Sequence, residues 1–139
     1  MESLEVMTNL LPSELLRVID ANINRLKEGI RVVEDILRYT QNNKILSLKL
    51  KQLRHKATID IYEELLFHRD SINDVLRPST KSEQKRNDIT SIIIANMKRA
   101  QESSRVLEEI FKLQDINYSE TFKDIRYELY SLEKDIILK

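Results

Sequence analysis

Apolar residues recur along this chain with the spacing of a helix face. From residue 12 onward they advance in steps of three and four positions, which places them on one side of an α-helix. This first stripe consists of Ile19, Ile23, Leu26, Ile30, Val33 and Leu37. The turn-forming run Gln41-Asn42-Asn43 interrupts it, and a second helix is predicted from about residue 44 to about residue 67.

A second pair of helices is predicted after a polar segment at 68–87. Asp88 suits the N-cap of the third helix, because its carboxylate accepts hydrogen bonds from first-turn amides. The fourth helix is expected to begin near Ser119 and to run almost to residue 139. The chain has one glycine and two prolines among 139 residues. A sheet-rich fold needs more turn residues than that, so long helices are favoured.

The first and third helices carry a repeated motif. ANINRLKEGIRVVEDI, which starts at Ala21, and ANMKRAQESSRVLEEI, which starts at Ala95, are identical at eight of sixteen positions. The other two helices repeat more weakly, as LKQLRH and FKDIRY. We therefore predict an all-α fold, an antiparallel helical bundle of four long helices built from a duplicated helical hairpin with a pseudo-twofold axis. Residues 1–139 are expected to form a single domain, with hairpin one at about 13–67, a functional linker at about 68–87 and hairpin two at about 88–138.

Charge and composition exclude several classes of protein. Lys+Arg and Asp+Glu both total 23, so the chain lacks the basic excess of a general nucleic-acid or membrane-surface binder. The absence of cysteine rules out disulfides and thiolate chemistry. No apolar run has membrane-spanning length and no signal peptide is evident, so a cytoplasmic location is expected. Gly29 is the only glycine, which excludes the glycine-rich phosphate-binding loops.

The repeated pattern Asn-x-x-Arg-x-x-Glu-x-x-Arg is the most specific local signal. Its spacing places Asn22 and Arg25 beside the first apolar stripe, and Asn96 and Arg99 on the matching flank of the third helix. If the two copies face each other, these side chains converge on one cleft. The alternative is a pair of exposed charge ladders, each worth about a few tenths of a kcal/mol per ion pair. A glutamate of each repeat is expected to pair with an arginine of the next helix: Glu34 with Arg54, and Glu108 with Arg126.

The linker at 68–87 is long for a connection without regular structure, and such segments are usually functional or disordered. It contains cations, carboxylates and hydroxyl groups. Phosphoryl transfer uses this set: carboxylates to hold Mg²⁺, cations to meet developing charge, and hydroxyl donors. An ordinary solvated loop has the same composition, so composition alone does not separate the two interpretations.

Several segments, taken together and in order, resemble one known family: RVIDANINRLKEGIRVVEDILRY, LKQLRH, RD-x-x-x-D in the linker, TKSEQKR and ANMKRAQESSRVLEE. The chain resembles, from Arg17 onward, the small monofunctional hydroxymethylpyrimidine phosphate kinases of thiamine biosynthesis, which are often fused to thiamine phosphate synthase. The resemblance implies ATP and Mg²⁺ as cosubstrates. It also implies phosphorylation of 4-amino-5-hydroxymethyl-2-methylpyrimidine phosphate to its diphosphate, without activity on the free alcohol. The chain is expected to be a standalone member with a functional link to that synthase, and whether it forms a homo-oligomer stays open.

Under this resemblance, the candidate site residues fall into four groups. The catalytic group is Arg69, Asp74 and Arg99. The ATP-binding group is Arg69, Asp70, Ser82, Arg86, Arg99 and Arg105. The substrate group is Asn22, Arg25 and Asn96. Mg²⁺ is assigned to Asp74, with Asp70 as the second choice.

A competing hypothesis is a non-catalytic helical module that docks onto or regulates thiamine phosphate synthase. It predicts tight binding to that partner and no ATP turnover. By looser analogy, a helical bundle with an Arg/Asp phosphate-binding loop also suggests an ATP-dependent corrinoid adenosyltransferase, but no corrinoid pocket is identifiable in the sequence.

Overall fold

The secondary structure is helical throughout the part of the chain that the computed structural model describes. That part is residues 12–138, without the side chains of Ser82 and Glu83. The helices are α1 (Ser13–Tyr39), α2 (Lys44–Lys56), α3 (Tyr62–His68), the single turn α4 (Lys81–Gln84), α5 (Ile89–Phe111) and α6 (Ile116–Ile137). The predicted all-α helical bundle is confirmed. None of the described helices is both long and apolar enough to cross a lipid bilayer.

The two long helices that carry the repeated motif, α1 and α5, form the centre of the bundle. They pack against each other, α2 and α3 pack on α1, and α6 packs on α5. All six residues of the first apolar stripe are buried in the shared core. The apolar stripe of α5 is buried in the same core and consists of Ile93, Met97, Ala100, Leu107 and Phe111. The helical period read from the sequence therefore identifies the core face of both helices.

The second helix is shorter than predicted, and this changes where the linker lies. It was expected to run to about residue 67, but α2 ends at Lys56 and α3 begins only at Tyr62. Between them Ala57, Ile59 and Ile61 are buried, and the backbone turns at residue 57 and bends at residue 60 instead of continuing the helix. The β-branched residues Thr58, Ile59 and Ile61 also lower the helix propensity of this segment. The break lets α3 pack back onto α1 and directs the following loop toward the first half of α1.

Helix boundaries elsewhere follow from side-chain caps. Asp88 accepts a hydrogen bond from the Ser91 amide at 2.8 Å, and the Ser91 hydroxyl accepts one from the Asp88 amide at 3.1 Å. This capping box confirms the predicted start of α5. The start of α6 lies three residues before the predicted Ser119, because the Asp115 carboxylate caps the amides of Asn117 and Tyr118.

Each hairpin contains one buried ion pair, as the repeat predicted. The Arg54 Nε atom donates to Glu34 at 2.9 Å, and Arg126 Nη2 donates to Glu108 at 2.8 Å. Both carboxylates are at most 5 % exposed. Hydrogen bonds to Tyr130 and Glu108 raise the pKa of Arg126. These pairs connect α1 with α2 and α5 with α6 at equivalent places, which supports the duplicated-hairpin architecture.

Gly29 lies at a close contact between α1 and α5. A Cβ atom at this position would lie 2.9 Å from the backbone carbonyl oxygen of Asn96 and 3.5 Å from Ala100 Cβ. Real Cβ atoms essentially never come that close to a backbone oxygen. The glycine is therefore explained by the close helix contact, which leaves no room for a Cβ atom.

Candidate functional site

An open, highly charged cleft of about 710 Å³ lies between the first half of α1, the loop after α3 and the middle of α5. Its charged lining contains four arginines and five carboxylates: Arg17, Arg25, Arg69, Arg99, Glu14, Asp20, Glu28, Asp70 and Asp74. Charges of both signs are thus concentrated on one surface, with elements from distant parts of the chain. A cleft of this kind suits a charged ligand together with a cation.

The cleft brings together six of the candidate site residues: Asn22, Arg25, Arg69, Asp70, Asp74 and Arg99. Asn22 is buried, and its Nδ2 atom donates to the Val18 carbonyl oxygen at 2.8 Å. Its repeat counterpart, Asn96, makes the same bond to Ile92 at 2.9 Å. The two asparagines therefore occupy equivalent helical environments, although only Asn22 lines the cleft.

Arg25 and Arg99 occupy the same position in the two repeats and line the same cleft. Both are exposed, and neither forms an ion pair or hydrogen bond through its guanidinium within the described residues. The exposed charge ladder is therefore not formed by these two residues. The next arginine of each repeat is paired instead, Arg31 with Asp35 at 3.2 Å and Arg105 with Glu109 at 2.8 Å. Two free guanidinium groups on facing helices are well placed to bind an anion.

Arg69 is anchored by a residue that sequence reasoning missed, Asp20. Its Nε and Nη2 atoms donate to the two carboxylate oxygens of Asp20 at 2.7 and 2.8 Å. Hydrogen bonding to Asp20 raises the pKa of the Arg69 guanidinium, which keeps it charged. The sequence contained one signal that Asp20 is unusual. At the equivalent position of the second repeat the residue is the apolar Ile94, so the two copies differ there.

The loop after Arg69 is folded by its own carboxylates. The Asp70 side chain accepts hydrogen bonds from Asn73 Nδ2 at 2.8 Å and from the Asn73 amide at 3.1 Å, which lower the pKa of Asp70. The Asp74 carboxylate accepts one from the Leu76 amide at 3.0 Å. Arg17 Nη2 reaches the Asp70 carbonyl oxygen at 3.4 Å. Asp70 is therefore ionised at neutral pH, and Arg17 gives the loop a second attachment to α1 besides the Arg69–Asp20 pair.

Asp70 and Asp74 offer the hard oxygen ligands that Mg²⁺ prefers. Within the described residues no group of three or more His, Asp or Glu side chains is arranged to hold a metal ion. Protein-bound Mg²⁺ in phosphoryl-transfer sites usually takes one or two carboxylates and completes its shell with phosphate oxygens and water. The pair of carboxylates fits that mode of binding, in which the ion arrives with a nucleotide.

Three of the candidate residues that the structure describes do not line the cleft. Arg105 pairs with Glu108 and Glu109 further along α5, and the Asn96 backbone packs against Gly29. Arg86 is exposed and donates to the Lys85 carbonyl oxygen. The Ser82 side chain lies outside the described part of the chain. Their assignment to ATP or substrate binding stays a prediction.

The part of the chain that matches known proteins is nearly the same as the part that forms the helical bundle. The model of the ThiD2 family matches residues 17–135. Among curated relatives, thiamine-phosphate synthases are 36% identical over 127 residues in Synechocystis sp., 36% over 138 in Rhodopirellula baltica and 37% over 140 in Thermosynechococcus vestitus. These alignments cover 91%, 96% and 95% of this chain but only 37%, 37% and 39% of the relatives. No solved structure matches the chain. Because the family match extends over nearly all of the bundle, the chain belongs to the ThiD2 family.

Proposed function

We propose that this protein is a kinase of thiamine biosynthesis that transfers the γ-phosphoryl group of ATP to 4-amino-5-hydroxymethyl-2-methylpyrimidine phosphate. The thiamine context rests on the family match and on relatives named thiamine-phosphate synthase. The observation that carries the kinase assignment is the convergence of Arg25 and Arg99, both unpaired, on one cleft beside the carboxylates of the loop. This arrangement can hold two phosphorylated molecules side by side.

The reaction requires no covalent bond between the protein and either substrate. A phosphate oxygen of the acceptor, already ionised at neutral pH, attacks the γ-phosphorus of ATP. The new oxygen–phosphorus bond forms as the bond to the β–γ bridging oxygen breaks, and ADP leaves with that electron pair. No strong base is required, so catalysis consists of alignment and charge stabilisation.

The residues of the cleft divide these tasks. Arg99 and Arg69 would hold the ATP phosphates, while Arg25 and Asn22 would hold the acceptor phosphate. Asp74 and Asp70 would hold Mg²⁺, which, when bound, neutralises charge on the phosphate oxygens. The carboxylates in the cleft slightly outnumber the arginines. That balance favours a metal–nucleotide complex over a metal-free polyanion, because a divalent cation offsets the carboxylates.

The proposed activity is tested by incubating the purified protein with Mg-ATP and the pyrimidine monophosphate, with the free alcohol in parallel. We expect ADP and the pyrimidine diphosphate in equal amounts from the monophosphate and no product from the alcohol. The alcohol is rejected because it would leave the guanidinium meant for its phosphate without a partner. Folded protein that releases no diphosphate would overturn the assignment.

Arg25→Ala tests the substrate side of the cleft. We expect kcat/KM for the monophosphate to fall about tenfold, mainly through a higher KM, because one charged hydrogen-bonding group is lost. Thermal stability should not change, since Arg25 is exposed and unpaired. Arg31→Ala is the matched control: it is an exposed arginine of the same helix that pairs with Asp35 away from the cleft. An unchanged catalytic efficiency of Arg25→Ala would remove Arg25 from the substrate site.

A docking module for thiamine-phosphate synthase is the second candidate function, and one observation favours it. Four apolar side chains at the end of α3 and in the loop that follows are largely exposed: Phe67, Ile72, Val75 and Leu76. Exposed apolar clusters often mark protein–protein contacts. This candidate predicts tight binding to a synthase, measured by calorimetry, together with no ATP turnover, so the kinase assay separates the two functions.

A further inference from the structure

We propose that Asp20 is the positioning residue of the cleft, holding Arg69 and the metal-binding loop in place, and that it restricts the duplicated bundle to one functional site per chain. The inference rests on the proposed function in one respect, because it assigns Arg69 and the loop to phosphate and metal binding. The contacts themselves are independent of that function.

The geometry shows how Asp20 fixes Arg69. Asp20 is only 6 % exposed and receives both bonds from Arg69 as well as a longer one, at 3.4 Å, from Asn24 Nδ2. A bidentate carboxylate holds the plane of a guanidinium in one orientation. Two of the five guanidinium N–H groups are used in this way. The other three are without a partner in the described structure, and they remain available to a phosphate.

Arg69 in turn positions the loop. It directly follows α3, and Asp70 and Asp74 lie one and five residues beyond it. The bond to Asp20 therefore ties the beginning of the loop to α1, and Arg17 adds the weaker contact to the Asp70 carbonyl. Residues 71–81 are all exposed, so the loop has little packing of its own. Without the buried carboxylate, little else would fix the distance between the loop and Arg25.

Helix packing alone does not account for Asp20. The buried carboxylates Glu34 and Glu108 occur at the same position of both repeats and each joins two helices of a hairpin. Asp20 has no such counterpart, because the second repeat has Ile94 at that position. Only the Asp20 side of its ion pair is buried and Arg69 is exposed, so the pair lies at the edge of the core rather than within it. Its retention in one repeat only, at the cleft, points to a role in the site.

The same asymmetry defines a single site. On the pseudo-equivalent side of the bundle, Ile94 replaces Asp20 and Ser91 replaces Arg17. The Ser91 hydroxyl is already used in the capping box of α5. Moreover, Arg25 and Arg99 both line the one cleft rather than one cleft each. The pseudo-twofold axis therefore relates the helices but not the site.

Asp20→Asn tests the positioning role, because it keeps the size of the side chain and removes its charge. We expect kcat to fall about tenfold, as alignment is lost. We also expect faster hydrogen–deuterium exchange of the Asn73 and Leu76 amides, whose acceptors lie in the loop. Glu108→Gln is the matched control, since it removes a buried carboxylate from an arginine pair in the other hairpin. It should lower the melting temperature while kcat and loop exchange of the folded protein stay at the wild-type level.

The outcomes are distinct. If wild-type protein lacks turnover, the proposed function fails, and the exchange measurement still decides whether Asp20 orders the loop. Loop exchange in Asp20→Asn equal to wild type would overturn the positioning role, as would an equal loss of kcat in Glu108→Gln. Calorimetric titration with a non-hydrolysable Mg-ATP analogue should give one equivalent per chain. Two equivalents would overturn the single site.

Discussion

Replacing Gly29 with alanine is expected to lower the free energy of unfolding by about 1–2 kcal/mol, the cost of overpacking a close helix contact. The sign of this change in the free energy of unfolding distinguishes two effects of the substitution. Helix propensity alone predicts the opposite, a gain of about 1 kcal/mol for alanine over glycine inside a helix. The added methyl group would lie 2.9 Å from the Asn96 carbonyl oxygen. A backbone atom of a packed helix cannot rotate away, so α1 and α5 must separate.

Gly29→Leu should cost more, about 3 kcal/mol or above, because its side chain has several more carbons to accommodate at the same contact. Chemical denaturation monitored by circular dichroism gives these values. Ser103→Ala is the matched control, since Ser103 is the repeat counterpart of Gly29, already has a Cβ atom and is buried. Its hydroxyl only donates back to the Arg99 carbonyl of its own helix at 2.7 Å. We expect its stability to stay within about 0.5 kcal/mol of wild type. A Gly29→Ala variant more stable than wild type would contradict the close contact.

The fold was predictable because its determinants repeat over long stretches. The apolar stripe of α1 extends over five turns, and the sixteen-residue motif fixes the equivalence of α1 and α5. The break after Lys56 was missed for a local reason. Ala57, Ile59 and Ile61 are too few to show that the helical period has ended, and their burial in a turn between two helices comes from tertiary packing.

The candidate site was predictable where it depends on the repeat and not where it depends on the loop. The Asn-x-x-Arg pattern identified Arg25 and Arg99 because both copies carry it. Asp20 was missed because an acid beside an apolar stripe usually lies in solvent, and its partner is 49 residues away in the chain. The repeat also does not show which of Arg99 and Arg105 lies in the cleft, because both arginines have a counterpart in the first copy. Their difference arises from Glu109, which pairs with Arg105 and has Asp35 as its repeat counterpart.

Arg99→Ala is expected to reduce kcat/KM of the proposed kinase by about 10²–10³-fold, the usual loss when a preorganised donor to developing charge is removed. Arg99 is the one arginine that α5 contributes to the cleft. Charge on the transferring group is greatest in the transition state, so the loss should appear in kcat more than in KM. The melting temperature should stay unchanged, because Arg99 is exposed and makes no ion pair within the described residues.

Two further variants show whether charge alone or its geometry matters. Arg99→Lys keeps the positive charge but loses the planar fork that binds two phosphate oxygens at once, so we expect partial activity between those of wild type and Arg99→Ala. Lys98→Ala removes the neighbouring cation, which pairs with Glu133 at 3.1 Å on the α6 side of α5, and should leave kcat within about twofold of wild type. An equal loss in Lys98→Ala and Arg99→Ala would mean that the general charge of α5, rather than a guanidinium in the cleft, supports the reaction. Full activity of Arg99→Ala would remove Arg99 from catalysis and leave Arg69 and Asp74 as the remaining catalytic candidates.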